Sequence, residues 1–263
     1  MPLDDPTVAA LGTALYGAQT SGVAIAPLTD AHPDMEMADA YRVQQDVVAR
    51  LLADGDSVVG YKLGLTSAPM QQMLGVDSPD FAPVLATHVN PDGADVAVQA
   101  FIWPRVEAEI ALVLREDLAG PNCTAQDAAR AVGGARAAIE IVDSRIQDWK
   151  IKLADTIADL ASNGAIVLGD NVVDVDGSFD LRLTGMVFTR DGDLVATGAG
   201  AAALGSPLGA VAWLANTLHT VGESLRAGQF VMTGALHAAV DIKAGQHYHA
   251  EFDRLGTVSL NAV

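Results

Sequence analysis

Three acids carry the strongest chemical signal in the sequence. Glu107 and Glu109 sit two apart in Arg105-Val-Glu-Ala-Glu-Ile110. On a strand that spacing puts both carboxylates on one face, with Cα atoms about 6.5–7 Å apart. The run from Ile110 to Leu114 is continuously apolar, so the strand continues into a core. Glu140 stands alone among the apolar neighbours of Ala137-Ala-Ile-Glu-Ile-Val142. A buried carboxylate is costly unless it is paired or bound to a metal. Three converging acids repel one another without a cation. A hard divalent ion with oxygen ligands, Mg2+ or Mn2+, resolves that conflict. The competing reading makes Glu107 and Glu109 the wet face of an edge strand and pairs Glu140 with Arg105 or Arg136.

Other polar residues divide in the same way. Lys62 lies inside the apolar stretch Val58–Leu65. It is either a snorkelling strand-end lysine or a partly buried ammonium with a lowered pKa, able to act as acid or base. Asp143, Arg145, Asp148, Lys150 and Asp155 crowd one short stretch, and a solvated helix face accounts for most of them. His247 and His249 share a strand face with Glu251 and Asp253, a face that reads as wet. His32, His88, His219 and His237 show no partner spacing. No GxSxG elbow, GxGxxG or GxxxxGK[ST] occurs, so that type of serine hydrolase and nucleotide-cradling loops lack support.

The elements that must position these groups follow from periodicity. Met35–Asp54 has helical spacing and ends at Asp54-Gly55-Asp56. Val58–Thr66 reads as a strand, and Ser67–Pro83, with two internal prolines, as a helical turn plus loop. Arg105–Leu114 is a strand, residues 125–135 an Ala-rich helix, Ala137–Asp143 a short strand. Trp149–Ser162 is a helix or an irregular segment. Turn signals then punctuate short strands at Leu181–Arg190, Gln229–Thr233, His247–Phe252 and Thr257–Leu260. The pattern predicts an α+β fold with a mixed or antiparallel core, not a doubly wound sheet. One catalytic domain over 1–263 is expected, mainly helical over 1–57 and β-rich over 58–263.

Composition narrows the function classes. Among 263 residues, 33 acids against 15 bases give a formal charge of −18, which argues against nucleic acid and against a polybasic membrane anchor. Half the residues are hydrophobic, which excludes a disordered chain. A single cysteine, Cys123, excludes an internal disulfide and a Cys-rich zinc site. Leu194–Gly222 carries no formal charge, but its glycines, Pro207 and His219 make it a Gly-rich turn and a core helix from Leu208 to Leu218 rather than a membrane span. The N-terminus lacks the features of a signal peptide, and a cytoplasmic protein is the expectation.

Longer motifs add a resemblance. Gly60-Tyr-Lys-Leu-Gly-Leu-Thr-Ser67, Gln71-Gln-Met-Leu-Gly-Val-Asp-Ser-Pro-Asp-Phe81 and Pro104-Arg-Val-Glu-Ala-Glu-Ile110 come first. The most specific stretch is Ile139-Glu-Ile-Val-Asp-Ser-Arg-Ile-Gln-Asp-Trp-Lys-Ile151, followed by Ala154-Asp-Thr-Ile-Ala-Asp159. Gly198-Ala-Gly-Ala-Ala-Ala-Leu-Gly-Ser-Pro-Leu208 and Val211-Ala-Trp-Leu-Ala-Asn216 complete the set. Together, over nearly the whole chain and in order, these resemble the bacterial 2-keto-4-pentenoate hydratases of the fumarylacetoacetate hydrolase superfamily. The resemblance implies a rolled, multilayered mixed β structure with flanking helices. It implies a divalent metal on Glu107, Glu109 and Glu140, and catalytic positions at Lys62, Asp80 and Ser162. Two departures stand out: Leu160 replaces an amide in the family's Asp-Asn-Ala-Ser, and Ala82 replaces a glycine after Pro-Asp-Phe. The first removes a hydrogen-bonding group near the site; the second restricts a loop, since glycine adopts positive φ cheaply.

The implied activity is hydration of 2-hydroxypenta-2,4-dienoate to 4-hydroxy-2-oxopentanoate, in meta-cleavage breakdown of aromatic compounds. A homo-oligomer is implied, with neighbouring pathway enzymes as further partners. The alternatives are a decarboxylase of 2-oxo-hex-3-enedioate (4-oxalocrotonate), an acylpyruvate C–C hydrolase, and an inactive structural partner of such an assembly. Retention of all three acids and Lys62 argues against the last. No clearly placed His–Glu pair near the N-terminus supports the hydrolase.

Overall fold

The computed structural model describes residues 2–67, 71–72 and 75–263. Helix α1 (Asp5–Ser21) begins at Asp4, whose side chain accepts from Thr7 N, and ends at Gly22 with φ 67°. A short helix α2 (Leu28–Ala31) leads to α3 (Met37–Ala53). Ala40, Val43, Gln44 and Val47 form the buried stripe of α3, as the 3.6-residue period requires. That stripe meets Leu15, Leu28, Ile146, Ile157 and Leu160 in a helical cluster. Gln44 Nε2 donates to Phe81 O at 3.0 Å and Ile157 O at 2.7 Å, which ties the helices to the sheet.

The larger sheet runs β2 (Asp80–Leu85), β1 (Val58–Gly64), β11 (Phe230–Ala235), β5 (Arg105–Leu114), β6 (Val132–Val142), β7 (Asn163–Leu168), β3 (Val89–Pro91). Two-residue strands β8 (Val173–Asp174) and β12 (Val240–Asp241) join β6 and β5. The sheet is mixed: β1 pairs with β11, and β3 with β7, in parallel; the other pairs are antiparallel. A smaller sheet has the order β10 (Asp193–Ala199), β9 (Gly185–Arg190), β13 (His247–Phe252), β14 (Gly256–Ala262), β4 (Ala94–Val96).

Both faces of β5 are covered, and this explains the apolar run after the acids. Val106, Ala108, Ile110 and Leu112 face the main core with Phe188, Tyr248, Phe252 and Leu260 of the small sheet. Ala111 faces a second cluster with Ala138, Ile166 and Met232. Alternation along a strand then puts Glu107 and Glu109 on the Ala111 side. Helix α6 (Pro207–Thr220) buries Ala210, Val211, Leu214 and Leu218 in the main core. The stretch Gly200–Thr220 is long and apolar enough to cross a membrane by length and composition, but its α-helical part is a core helix of 14 residues.

Several expected elements differ. The 125–135 helix stops at Ala131, α4 (Ala125–Ala131), and β6 starts at Val132. Small residues at 133–135, 137 and 138 let this strand lie between close neighbours; a Cβ at Gly134 would fall 2.5 Å from Val172 Cγ1. Pro83, read as a loop residue, lies in β2, an edge strand where a missing N–H is tolerated. The rest of the turn expected over 67–83 falls partly on residues 68–70, 73 and 74, outside the described residues. Leu181–Leu183 is a 3-10 turn, not strand, capped by Asp180. The uncharged stretch from 194 also contains most of strand β10, hidden by its glycines.

Candidate metal centre and active site

Register brings the acids together. Glu107 and Glu140 are direct cross-strand partners on β5 and β6, and Glu109 pairs with Ala138. Oxygens of Glu107, Glu109 and Glu140 lie within 4.8 Å of one another. Like charges directly opposite on neighbouring strands destabilise a sheet. Burial, reinforced by Glu140, pushes the Glu107 carboxyl up to about 7. Burial and both other acids push Glu109 well above the carboxylate range. Burial also raises Glu140, against the pull of Lys62 and Asn163. The edge-strand reading of these acids is wrong because β5 is central, and Glu140 pairs with neither Arg105 nor Arg136.

Its cation is Lys62, with Nζ 3.4 Å from Glu140 Oε1. Strands β1 and β6 are three steps apart, about 14 Å in a flat sheet. The curl of the sheet and the long lysine stem close that gap. Lys62 Nζ also donates to Ala161 O at 2.7 Å. The lowered pKa expected for this lysine is not found. Burial opposes the charge, but Glu140, Asp80, Glu109 and Glu107 together outweigh it and hold the ammonium above its ordinary value.

Asp80 and Ser162 share the same pocket, about 440 Å³, with Lys62 and Glu107. Burial raises Asp80 above the usual carboxylate range, and its Oδ1 has no hydrogen-bond partner among the described residues. Gly64 makes its room: a Cβ there would stand 2.2 Å from Asp80 Oδ1. Ala82 lies in regular β2 opposite Lys62, so the glycine it replaces is not needed for a loop. Ser162 Oγ lies 3.3 Å from Thr156 Oγ1.

Leu160, Ala161 and Ser162 are three successive non-glycine residues with φ of 52°, 49° and 57°. Left-handed backbone costs roughly 1–2 kcal/mol per residue. The turn aims the Ala161 carbonyl at Lys62 and puts Ser162 in the pocket. Leu160 itself packs into the helical cluster. A buried ion pair braces the turn: Arg145 binds the Asp159 carboxylate and donates from Nη1 to Asn163 O at 2.8 Å. The Asp159 N–H donates to Asp155 O and closes the helix α5 (Leu153–Ala158) that precedes it. Arg145→Met leaves Asp159 buried without its cation and is expected to cost about 3–5 kcal/mol. Urea unfolding of the metal-free protein measures this; a loss below about 1 kcal/mol would remove Arg145 as the brace.

The expected solvated face over 143–155 is a correction as well. Of the five charged residues named there, Asp143, Arg145 and Asp155 are buried, and only Asp148 and Lys150 are exposed. Asp143 accepts from Ile102 N and Trp103 N, and Asp155 from Thr29. These partners are far away in sequence, so spacing gave no sign of them. The His247 and His249 face is open as expected, with Tyr248, Ala250 and Phe252 buried opposite. Pocket residues that sequence reasoning missed include His237, whose Nε2 accepts from Ala108 N at 2.9 Å. Arg105 and Trp149 also line it, the guanidinium 4.7 Å from the ring centroid.

The donor set fits a divalent ion. It offers three carboxylates in one small volume, all driven toward the neutral form without a cation. Glu140 Oε2 is buried with no hydrogen-bond partner among the described residues, and Glu109 Oε2 is oriented by Gly234 N at 2.8 Å. All-oxygen donors favour Mg2+, Mn2+ or Ca2+ over softer metals.

Comparisons with known proteins place the chain in a family. The Fumarylacetoacetate (FAA) hydrolase C-terminal family matches residues 58–261. A 2-keto-4-pentenoate hydratase of Burkholderia vietnamiensis is 45% identical over 255 residues, 97% of each chain. A 2-hydroxyhexa-2,4-dienoate hydratase of Comamonas testosteroni is 41% identical over 251 residues, 95% of each chain. Among solved structures, 4-oxalocrotonate decarboxylase from Pseudomonas putida G7, complexed with magnesium and adipate, superposes with a TM-score of 0.96 at 36% identity, covering 99% of both chains.

Proposed function

This chain belongs to the fumarylacetoacetate (FAA) hydrolase family, and on that footing we propose that its pocket is the active site of a metal-dependent 2-hydroxypenta-2,4-dienoate hydratase. The observation that carries the reading is the acid triad beside Lys62 in a chain 45% identical, end to end, to a 2-keto-4-pentenoate hydratase. We further propose that it acts in the cytoplasm as a homo-oligomer, in the breakdown of aromatic compounds.

The product is 4-hydroxy-2-oxopentanoate, and the net change is the gain of one water. In the first half the enol proton leaves O2 and a proton arrives at C5, giving the 2-oxo-3-enoate. In the second half the oxygen of water bonds to C4 and a proton arrives at C3. Negative charge gathers on O2 in both halves. A divalent ion held by Glu107, Glu109 and Glu140, Mg2+ or Mn2+, would supply Lewis-acid stabilisation of that charge. Lys62, with its Nζ 3.4 Å from Glu140 Oε1 and in the pocket, enters as the acid that protonates C5 and is recharged from O2. Asp80, with one oxygen unpartnered and its proton affinity raised by burial, takes the proton of the attacking water and returns it to C3. Ser162 hydrogen-bonds the substrate's 1-carboxylate.

The second reading is a decarboxylase of a six-carbon dicarboxylate, favoured by the full-length likeness to 4-oxalocrotonate decarboxylase. A second substrate carboxylate needs a cation in the pocket. Arg105 is there, but its Nε is 3.2 Å from Asp241 and its plane is held by Trp149. A diacid would share that guanidinium with Asp241. Incubation with each substrate and mass analysis of products separates the readings. The five-carbon monoacid is expected to gain one water, and 2-oxo-hex-3-enedioate to release little CO2. The reverse pattern would make the decarboxylase the function.

A further inference from the structure

Glu140 is fully buried, and one of its oxygens is held by a side chain that the chemistry above does not use. Asn163 Nδ2 lies 2.9 Å from Glu140 Oε1. As a metal ligand Glu140 would be ionised and would only accept, so the Asn163 amide turns its NH2 toward it. Its Oδ1 then faces His88 Nδ1, 2.9 Å away. That oxygen needs a donor, so the neutral imidazole carries its proton on Nδ1. The free nitrogen, Nε2, accepts from Gln19 Nε2 at 3.1 Å. Burial keeps the ring in its neutral form. The backbone of Asn163 is fixed separately, by Arg145 on its carbonyl. Each link determines the next: Gln19 sets the tautomer of His88, His88 sets the amide of Asn163, and Asn163 sets Glu140 Oε1. The other oxygen, Oε2, is left without a partner among the described residues.

We propose that His88 is a positioning residue for the metal centre, acting through Asn163 to orient the Glu140 carboxylate, with Gln19 of helix α1 holding His88 in turn. The proposal rests on the reading of Glu107, Glu109 and Glu140 as metal ligands. It also gives the N-terminal helices a task. Gln19 lies outside residues 58–261, yet it ends a hydrogen-bond chain that begins at the acid triad. Groups one step beyond metal ligands commonly change metal affinity by about 10–100-fold.

Titration calorimetry of Mg2+ into the metal-stripped, full-length protein without substrate tests this. His88→Phe is expected to weaken binding about 10-fold, and Asn163→Leu at least as much. The double variant is expected to bind no worse than Asn163→Leu alone, because His88 acts only through Asn163. His88→Asn, whose amide nitrogen can take the place of Nδ1, is expected to keep Mg2+ affinity near wild type. Nitrogen NMR of the unaltered protein should show His88 protonated on Nδ1. An unchanged affinity in His88→Phe, effects that multiply in the double variant, or an Nε2-protonated ring would each overturn the proposal. Glu140→Gln serves as the reference: if it still abolishes binding, the metal reading stands while the His88 chain falls. If it too leaves binding unchanged, the metal reading itself falls.

Discussion

Glu140→Gln lowers Mg2+ affinity by more than about 100-fold and takes hydration with it, because a ligand loss exceeds the effect of groups one step beyond the ligands. The same site makes the metal-free protein sensitive to pH, and the sign follows from the carboxyls. Glu107 has an ordinary value of 4.5 and is held at about 7 in the fold. A carboxyl held above its unfolded value binds its proton more tightly when folded. Its favourable contribution is therefore complete below about 4.5 and lost as the pH rises through about 7. Metal binding needs the ionised ligands and relieves their repulsion. The rise in Tm on adding Mg2+ is therefore small at pH 5 and grows toward pH 8. In Glu140→Gln that pH-dependent gain is expected to vanish. A gain in Tm of equal size at both pH values, or one that survives the substitution, would show that the ion binds elsewhere.

Lys62→Met has the opposite signature. It is expected to lower kcat by roughly 10²–10⁴-fold, the range for a lost acid–base group. Mg2+ affinity is expected to stay the same or tighten, because the substitution removes a positive charge 3.4 Å from Glu140 Oε1. Methionine keeps much of the apolar stem in place. The Ala161 carbonyl loses its donor, at a stability cost of about 1–3 kcal/mol. Parallel calorimetry and steady-state kinetics read both effects. If kcat and Mg2+ affinity fall together by similar factors, Lys62 is a structural support of the acid cluster and the proton role is lost.

The sequence showed the acid triad because two local rules coincide there. Strand period puts Glu107 and Glu109 on one face, and an acid among apolar neighbours marks Glu140 as unusual. The register that sets Glu107 opposite Glu140 needed the fold. Lys62 was visible as a charge inside an apolar strand, but its direction of shift was misjudged, since that depends on acids from three other strands. Asp80 and Ser162 came only through the resemblance, and nothing in their own spacing marks them. Residues 143–155 failed for a related reason: the partners of Asp143 and Asp155 lie at 102–103 and 29, beyond any local window. His88 and His237 bind backbone or amide groups distant in sequence, which leave no periodic trace. Helix and strand boundaries shifted where alanine and glycine dominate, as at 131–135, because small residues suit helix and crowded strand alike.

The most direct test of the central claim is an ultraviolet assay of metal-stripped protein with 2-hydroxypenta-2,4-dienoate, followed by stepwise addition of Mg2+ and mass analysis of the product. No loss of dienoate absorbance is expected before the addition. Activity should then rise to saturation near one Mg2+ per chain, with a product heavier by one water. Full turnover of the stripped protein would contradict the account, as would Mg2+-dependent loss of absorbance without gain of water.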